Sequence, residues 1–101
     1  MNYKLQTTAT FDKWYSKLKD KSVKYRLEAR FSRLTLGNFG DAKSVGNNVF
    51  ELRFFFGSGY RVYYTMREGE IVLLLCAGDK ATQNNDIELS YRLCADLNKT
   101  S

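Results

Sequence analysis

The fold is decided by residues 49–80, which read VFELRFFFGSGYRVYYTMREGEIVLLLCAGDK. Three runs rich in β-branched and aromatic residues, 49–56, 60–66 and 71–77, are separated by turns that contain glycine, a pattern typical of consecutive strands. The Gly-Ser-Gly sequence at 57–59 indicates a tight hairpin loop. The third run is apolar throughout, which indicates a central strand covered on both faces. We therefore predict an antiparallel β-meander here.

Two amphipathic helices are predicted before the meander. The first has Thr10 as its N-cap, and its apolar stripe at i, i+3, i+4 and i+7 consists of Phe11, Trp14, Tyr15 and Leu18. The second is capped by Asp20 or Ser22 and ends at Gly37, and its stripe consists of Val23, Leu27, Phe31 and Leu34. The short connection between the two stripes predicts a helical hairpin.

The remaining segments complete a single domain that spans residues 1–101. Residues 42–46 predict a short strand, residues 3–8 an edge strand, and residues 86–97 a final helix with Ile87, Tyr91, Cys94 and Leu97 at helical spacing. The predicted fold class is α+β: an N-terminal helical hairpin packed on an antiparallel β-meander of three to five strands, followed by a closing C-terminal helix. We expect the helices on one sheet face and the opposite face partly exposed.

Composition excludes several kinds of chemistry. Histidine and proline are both absent from the 101 residues. The absence of histidine removes the usual general base, the commonest metal ligand and the Ser-His and Cys-His nucleophile pairs. Cys76 and Cys94 cannot supply the usual four ligands of a structural zinc site. A disulfide between them is geometrically open, but two reduced, buried thiols are the preferred interpretation. We expect no metal and no cofactor.

The sequence predicts a soluble, cytoplasmic protein. No apolar segment resembling a signal peptide occurs in residues 1–10, and the longest apolar run, 71–77, is much shorter than a membrane span. The net charge is +5, but the surplus is uneven. Residues 1–33 carry nine basic and three acidic side chains, whereas residues 34–101 carry seven and eight. The positive surplus therefore lies in the predicted helical hairpin.

The meander brings a set of charged side chains to one face. Glu51 and Arg53 are two residues apart on one predicted strand, so their side chains lie on the same face, and the same holds for Arg61 and Tyr63 on the next strand. The tight loop between the strands can place the two pairs side by side. Lys80, after the last strand, and Lys43 can reach the same surface. Arginine and lysine bind phosphate oxygens, and an aromatic ring can stack on an unpaired base. The sequence therefore predicts an RNA site.

RNA cleavage requires few catalytic groups from the protein, because the 2′-hydroxyl of the substrate is the nucleophile. In this interpretation Arg53 and Arg61 stabilise the developing charge, Glu51 or a lysine of lowered pKa is the base, and Lys80 or a tyrosine is the acid. The simpler alternative is that Glu51 and Arg53 form only a surface ion pair. Equally, the tyrosines of this region can be sheet filler rather than base platforms.

The second helix carries cations outside its apolar stripe. Lys24 and Arg30 flank the stripe, while Arg26 and Arg33 point further away from it. Together with Lys43 and Tyr63 these residues are the candidates for RNA binding, and a ribosome surface is the alternative partner. A solvated helix face with no partner is the simpler interpretation.

At the level of motifs the chain resembles the RelE/ParE superfamily of bacterial toxins, and most closely its HigB-like addiction-module killer branch. The residues that carry the resemblance span nearly the whole chain: Trp14 and Leu18, then Arg26, Leu27 and Arg30, the segments 36–41 and 43–46, Val49-x-Glu51-Leu52-Arg53, Gly57-x-Gly59-Tyr60-Arg61-Val62-Tyr63-Tyr64, and 74–80 followed by Gln83, Asp86 and Ile87. The combination is specific to the family, although none of its parts is diagnostic alone.

The resemblance implies the toxin of a type II toxin–antitoxin pair that cleaves mRNA without a metal, on the ribosome. By position, it assigns the family's site arginines to Arg53 and Arg61 and the basic residue after the last strand to Lys80. It implies a small antitoxin partner, a helix-turn-helix protein in this branch. The chain departs from the family where relatives carry a C-terminal tyrosine or histidine, because Tyr91 belongs to an apolar stripe. The alternatives are a ParE-like gyrase inhibitor, which binds a protein, and a non-catalytic interaction module.

Overall fold

A five-stranded sheet with three α-helices forms the part of the chain that the computed structural model describes, residues 2–99. The elements follow in the order β1 (Lys4–Thr7), α1 (Ala9–Lys17), α2 (Lys21–Thr35), β2 (Ala42–Gly46), β3 (Val49–Arg53), β4 (Arg61–Arg67), β5 (Ile71–Gly78), a 3-10 turn (Lys80–Thr82) and α3 (Gln83–Lys99). The strand order is β1-β5-β4-β3-β2. The mixed α+β class with a closing C-terminal helix is thus confirmed.

The sheet is mixed rather than antiparallel. β2, β3, β4 and β5 form the predicted antiparallel meander, whereas β1 pairs in parallel with β5. The connection from β1 to the meander runs through both helices, and such a long crossover permits parallel pairing. The N-terminal segment therefore forms an edge strand, as predicted, but beside the central apolar strand.

Capping residues explain where the helices begin and end. α1 begins two residues earlier than predicted, since the Thr8 side chain, not that of Thr10, accepts the Phe11 N–H at 3.0 Å. Asp20 caps α2 by accepting the Ser22 N–H at 2.9 Å. α2 ends with Gly37 at φ 83°, and the N–H groups of Gly37 and Asn38 each donate at 2.9 Å to carbonyls of the last turn. This is the Schellman arrangement that glycine favours.

The larger core lies between one sheet face and helices α1 and α2. The buried members of both predicted stripes pack there against the sheet side chains Leu52, Phe54, Val62, Tyr64, Val72, Leu74 and Ala77. The fully buried Leu27 of α2 has 0% exposure. The two N-terminal helices and the sheet therefore share one core.

The second sheet face is covered by α3, so the expectation that all helices share one face is wrong. Val49, Tyr63, Leu73, Leu75 and Cys76 form a separate buried cluster beneath this helix. The predicted stripe of α3 packs on it through Ile87, Tyr91, Cys94 and Leu97. α3 has 17 residues and begins at Gln83 instead of residue 86. Its length is sufficient to cover much of a face that we expected to be exposed.

The two cysteines are free thiols in different environments. Cys76 is buried and Cys94 is half-buried. Burial raises the pKa of the Cys76 thiol to about 12, with a smaller contribution from Asp86. The Cys76 thiol also donates to the backbone carbonyl of Asp86 at 3.4 Å.

No helix within residues 2–99 is long and apolar enough to cross a membrane.

We predict that Leu27→Ala destabilises the protein by about 2–5 kcal/mol, because it removes a fully buried side chain and leaves a cavity. The matched control is Leu36→Ala at the end of α2, where the side chain is 65% exposed, and its effect is expected within about 0.5 kcal/mol. Urea unfolding followed by circular dichroism measures both. Equal losses in the two variants would contradict the assignment of the core.

We predict that Cys76 does not react with 5,5′-dithiobis(2-nitrobenzoic acid) in the folded protein. At pH 8 a thiol of pKa about 12 is a thiolate in only about one molecule in ten thousand, and the thiolate is the nucleophile. The Cys94→Ser variant leaves Cys76 as the single thiol, so its absorbance trace should stay flat until denaturant is added. Stoichiometric reaction of the folded variant would contradict the burial of Cys76.

Candidate active site

Strand register aligns the predicted site residues in two neighbouring rows across the sheet. In the first row, Lys43 of β2 lies opposite Glu51 of β3, which lies opposite Tyr63 of β4. In the second row, Arg53 lies opposite Arg61. All five side chains therefore belong to the sheet face that carries α3, since residues two apart on a strand share a face. The side-by-side placement predicted from the hairpin is confirmed.

The carboxylate of Glu51 is the centre of this arrangement. Glu51 is 2% exposed. Its Oε2 accepts a hydrogen bond from the Tyr63 hydroxyl at 3.2 Å and another from Gln83 Nε2 at 2.8 Å. Its Oε1 lies 3.8 Å from the Nε atoms of both Arg53 and Arg61. One buried negative charge thus faces two guanidinium groups and two neutral donors, which offsets its desolvation.

The hairpin loop after β3 holds Arg61 and brings Lys80 to the same end of the sheet. Arg61 is 6% exposed, and its Nη1 donates to the Gly59 carbonyl at 3.0 Å. The Lys80 N–H donates to the Ser58 carbonyl at 3.4 Å. Gly59 has φ +77°, and a Cβ on it would lie 3.4 Å from Lys80 Cβ and 3.6 Å from Arg61 Nη1. The loop therefore holds Arg61 and Lys80 close together. With Arg53, which lies opposite Arg61, they form a group of three cations.

Only part of this group reaches solvent. The Arg53 side chain is 33% exposed, and Lys80 and Lys43 are exposed. By contrast Arg61 is covered, and its Nε is buried without a hydrogen-bond partner, as is the Nε of Arg53. A phosphate oxygen is the kind of acceptor that such N–H groups bind. The accessible edge of the site consists of Arg53 with the two lysines.

Tyr63 is not a base platform in this structure. Its side chain has 0% exposure, so α3 and the neighbouring strands exclude a nucleotide from its ring. Burial raises the pKa of Tyr63 well above its usual range, and the Glu51 carboxylate raises it further. The hydroxyl is therefore a neutral donor to Glu51 and not a proton acceptor. This burial favours the alternative interpretation of Tyr63 as sheet filler over the prediction that it stacks on RNA.

Gln83 is a residue of the site that the sequence prediction did not include. The sequence pattern predicts that the final helix begins at residue 86. In the structure the helix begins at Gln83, directly after the 3-10 turn of residues 80–82. The turn begins at Asp79, which caps it by accepting the N–H groups of Ala81 and Thr82. The signal was an Asp three residues before a Thr, a capping pattern at the start of a helical segment.

The cations of α2 form a separate group on the other side of the sheet end. Arg26 lies 4.7 Å over the Phe56 ring and Arg30 lies 4.8 Å over the Phe54 ring. Lys24 instead lies 5.0 Å over Tyr15 of α1. Burial lowers the pKa of Arg30, and Arg33 is exposed. Three of the four predicted cations thus lie near residues 54–56, whereas Lys24 does not.

Within residues 2–99 no group of three or more Cys, Asp or Glu side chains could hold a metal ion.

The fold is similar to that of two solved structures from E. coli. A double mutant of the E. coli toxin RelE in the free state matches 85% of this chain and 93% of its own, with a TM-score of 0.68 and 21% sequence identity. A chain of the intact E. coli RelBE toxin–antitoxin complex matches 76% of this chain and 95% of its own length, with a TM-score of 0.60 and 19% identity. These matches establish the fold.

Sequence comparison identifies the family. Residues 13–91 match the model of the phage-derived Gp49-like proteins (DUF891), and the chain belongs to that family. A Haemophilus influenzae protein, named only as an uncharacterized protein, is 50% identical over 97 residues, which cover 96% of this chain and 98% of that protein. The resemblance to the RelE/ParE superfamily is thus supported at the level of the fold, while membership of the superfamily and of its HigB-like branch stays a prediction.

We predict that Glu51→Gln destabilises the protein by about 3 kcal/mol, because Arg61 would remain buried without a counter-charge. The matched control is Glu28→Gln, which changes an exposed carboxylate that accepts the Tyr15 hydroxyl at 2.7 Å, and about 1 kcal/mol or less is expected there. Chemical unfolding at pH 7 compares the two. A loss no larger than in the control would show that the arginines do not depend on Glu51.

Proposed function

We propose that this protein is the toxin of a type II toxin–antitoxin pair and that it inhibits translation by cleaving mRNA. The observation that carries the proposal is the placement of Arg53, Arg61 and Lys80 at one end of a RelE-like sheet. The two arginines form a cationic pair opposite each other, and lysines lie at its exposed edge. This arrangement suits a phosphodiester with one developing negative charge.

The chemistry proposed is transfer to the neighbouring hydroxyl of the RNA itself. The 2′-oxygen attacks phosphorus, the bond to the 5′-oxygen breaks, and a 2′,3′-cyclic phosphate forms. Arg53, at the accessible edge, binds the non-bridging oxygens, the buried Arg61 adds its positive charge from behind Arg53, and Lys80 gives a proton to the leaving 5′-oxygen. The step needs no metal.

Glu51 has a different role in this proposal from that expected from the sequence. Its two oxygens already face Tyr63, Gln83 and the two arginines. It therefore positions the guanidinium groups instead of removing the 2′-proton. Lys43 lies in the same row as Glu51 and is exposed, so it supplies a further positive charge beside the phosphate, and the 2′-proton leaves to solvent.

The proposed partners follow from charge and from the relatives. A translating ribosome is an RNA-rich surface, and the positive surplus of residues 1–33 favours association with it. The solved complex of RelE with its antitoxin supports a cognate antitoxin for this chain. We propose a helix-turn-helix protein, as in the HigB-like branch, and action in the cytoplasm, where mRNA is translated.

A second candidate is a ParE-like inhibitor of DNA gyrase, which acts by binding a protein. The observation that favours it is the burial of Arg61 and Tyr63 beneath α3, since a site closed to nucleotides can still present its exposed lysines to a protein. A non-catalytic interaction module would likewise leave mRNA intact.

We predict that Lys80→Ala lowers mRNA cleavage about 100-fold and relieves growth arrest, because it removes the group that protonates the leaving 5′-oxygen. Cuts in induced cells are mapped by primer extension, and circular dichroism establishes that the variant is folded. The matched control is Lys17→Ala at the exposed end of α1, which should arrest growth and cut mRNA like the unchanged protein.

Three outcomes would contradict the proposal. Unchanged cleavage by Lys80→Ala would show that the active site lies elsewhere. Growth arrest with intact transcripts and inhibited supercoiling would show that the protein inhibits gyrase and does not cleave mRNA. Normal growth on expression, with or without an antitoxin, would indicate the non-catalytic module.

A further inference from the structure

A groove lined by arginine and phenylalanine lies between α2 and the segment that follows β3. It has a volume of about 240 Å³, and its lining consists of Arg26, Ala29, Arg30, Arg33, Phe54, Phe55 and Phe56. No acidic side chain belongs to this lining. The groove is distinct from the rows of Glu51 and Arg61, which lie on the opposite face of the sheet.

Phe55 is the exceptional member of the groove. Its side chain is 76% exposed, whereas Phe54 is buried and Phe56 is half-buried. The guanidinium carbons of Arg30 and Arg26 lie 4.8 and 4.7 Å from the ring centroids of Phe54 and Phe56. Arg53 lies over one face of the Phe55 ring at 5.6 Å, and the high exposure of Phe55 leaves its other face available to a planar partner. An exposed aromatic ring among cations is the arrangement on which single-stranded bases stack.

The groove continues the candidate active site through Arg53. The Arg53 guanidinium lies 5.6 Å over the Phe55 ring and 3.8 Å from Glu51. On the other side its backbone carbonyl accepts a hydrogen bond from Arg30 Nη1 at 3.1 Å. A strand bound at Arg53 therefore passes directly onto Phe55 and then to the arginines of α2.

We propose that this groove binds the single-stranded RNA that flanks the cleaved bond, an inference that rests on the proposed function. One base stacks on Phe55, and the phosphates beyond it contact Arg26 and Arg33. The groove extends the footprint on RNA beyond the reacting nucleotides.

The charge of the groove favours RNA over a protein segment. Three guanidinium groups line it without any counter-ion in the lining. An apolar peptide would leave these cations uncompensated at the interface, whereas a phosphodiester chain offers one charge per nucleotide together with a planar base. An acidic antitoxin segment is the competing occupant, and the experiment separates the two.

The test measures binding of a fluorescein-labelled 12-nucleotide 2′-O-methyl oligouridine by anisotropy. This probe lacks the attacking hydroxyl, so it binds without being cut. Loss of one stacked base should weaken binding of Phe55→Ala about 5- to 150-fold, while Phe55→Trp should restore it. The control Leu36→Ala removes another exposed apolar side chain of the α2 end, 65% exposed, and should bind like the unchanged protein.

Salt dependence tests the phosphate contacts separately. The double variant Arg26→Gln, Arg33→Gln should lower the slope of log K against log salt by about 1.4, since each contact with a single strand contributes about 0.7. The control pair Lys17→Gln, Lys19→Gln, exposed near the end of α1, should leave the slope unchanged. Equal slopes in both double variants would overturn the groove as an RNA site.

The outcomes also separate this inference from the proposed function. Phe55-dependent binding of the oligouridine together with intact transcripts in cells would support the groove and overturn cleavage. Cleavage with affinities that do not depend on Phe55 would overturn the groove alone. If Phe55→Ala weakens the cognate antitoxin but not the oligouridine, the groove is a protein-docking surface and the inference is wrong.

Discussion

The buried carboxylate of Glu51 is the interaction on which the site depends. It is the only acidic group that faces Arg53 and Arg61 among the ion pairs of the described residues, and without it two guanidinium groups would repel each other across adjacent strands. Its second oxygen binds Tyr63 and Gln83, so the same charge connects β3, β4 and α3. A single side chain thereby relates strand pairing, helix position and the placement of the cations.

This dependence fixes the register of the central strands. Leu52 and Val62 face the core beneath α1 and α2, while Glu51 and Tyr63 alternate with them on the other face. A slip of one residue in the strand register would turn the Glu51 carboxylate into the larger apolar core and place Leu52 on the face that carries α3. Burial of a charge without partners costs several kcal/mol, so the polar row specifies the pairing at least as strictly as the apolar side chains do.

The sequence was sufficient for features that depend on local periodicity and insufficient for those that depend on tertiary placement. The stripe containing Leu27 and the alternation around Arg61 were readable because periods of 3.6 and 2 identify a buried face. The stripe of α3 was also correct, but periodicity does not say which face of the sheet a helix covers. For that reason Tyr63 was expected at a surface, and Gln83, one turn before the predicted helix, was not associated with Glu51.

Coverage of the second face by α3 limits where a substrate can approach. Because Arg61 and Tyr63 are buried, access is confined to the end of the sheet where Arg53 is partly exposed and Lys80 follows β5. Arg53 belongs to both surfaces at this end: its side chain lies between Glu51 and Phe55, and its carbonyl holds Arg30 of α2. A ligand that displaces the Arg53 side chain must therefore alter the balance of charge around Glu51 and the packing on Phe55 together. The basic surface of α2 and the sheet site are consequently not independent. Arg53 joins them, so a ligand bound at one surface changes the contacts of Arg53 at the other.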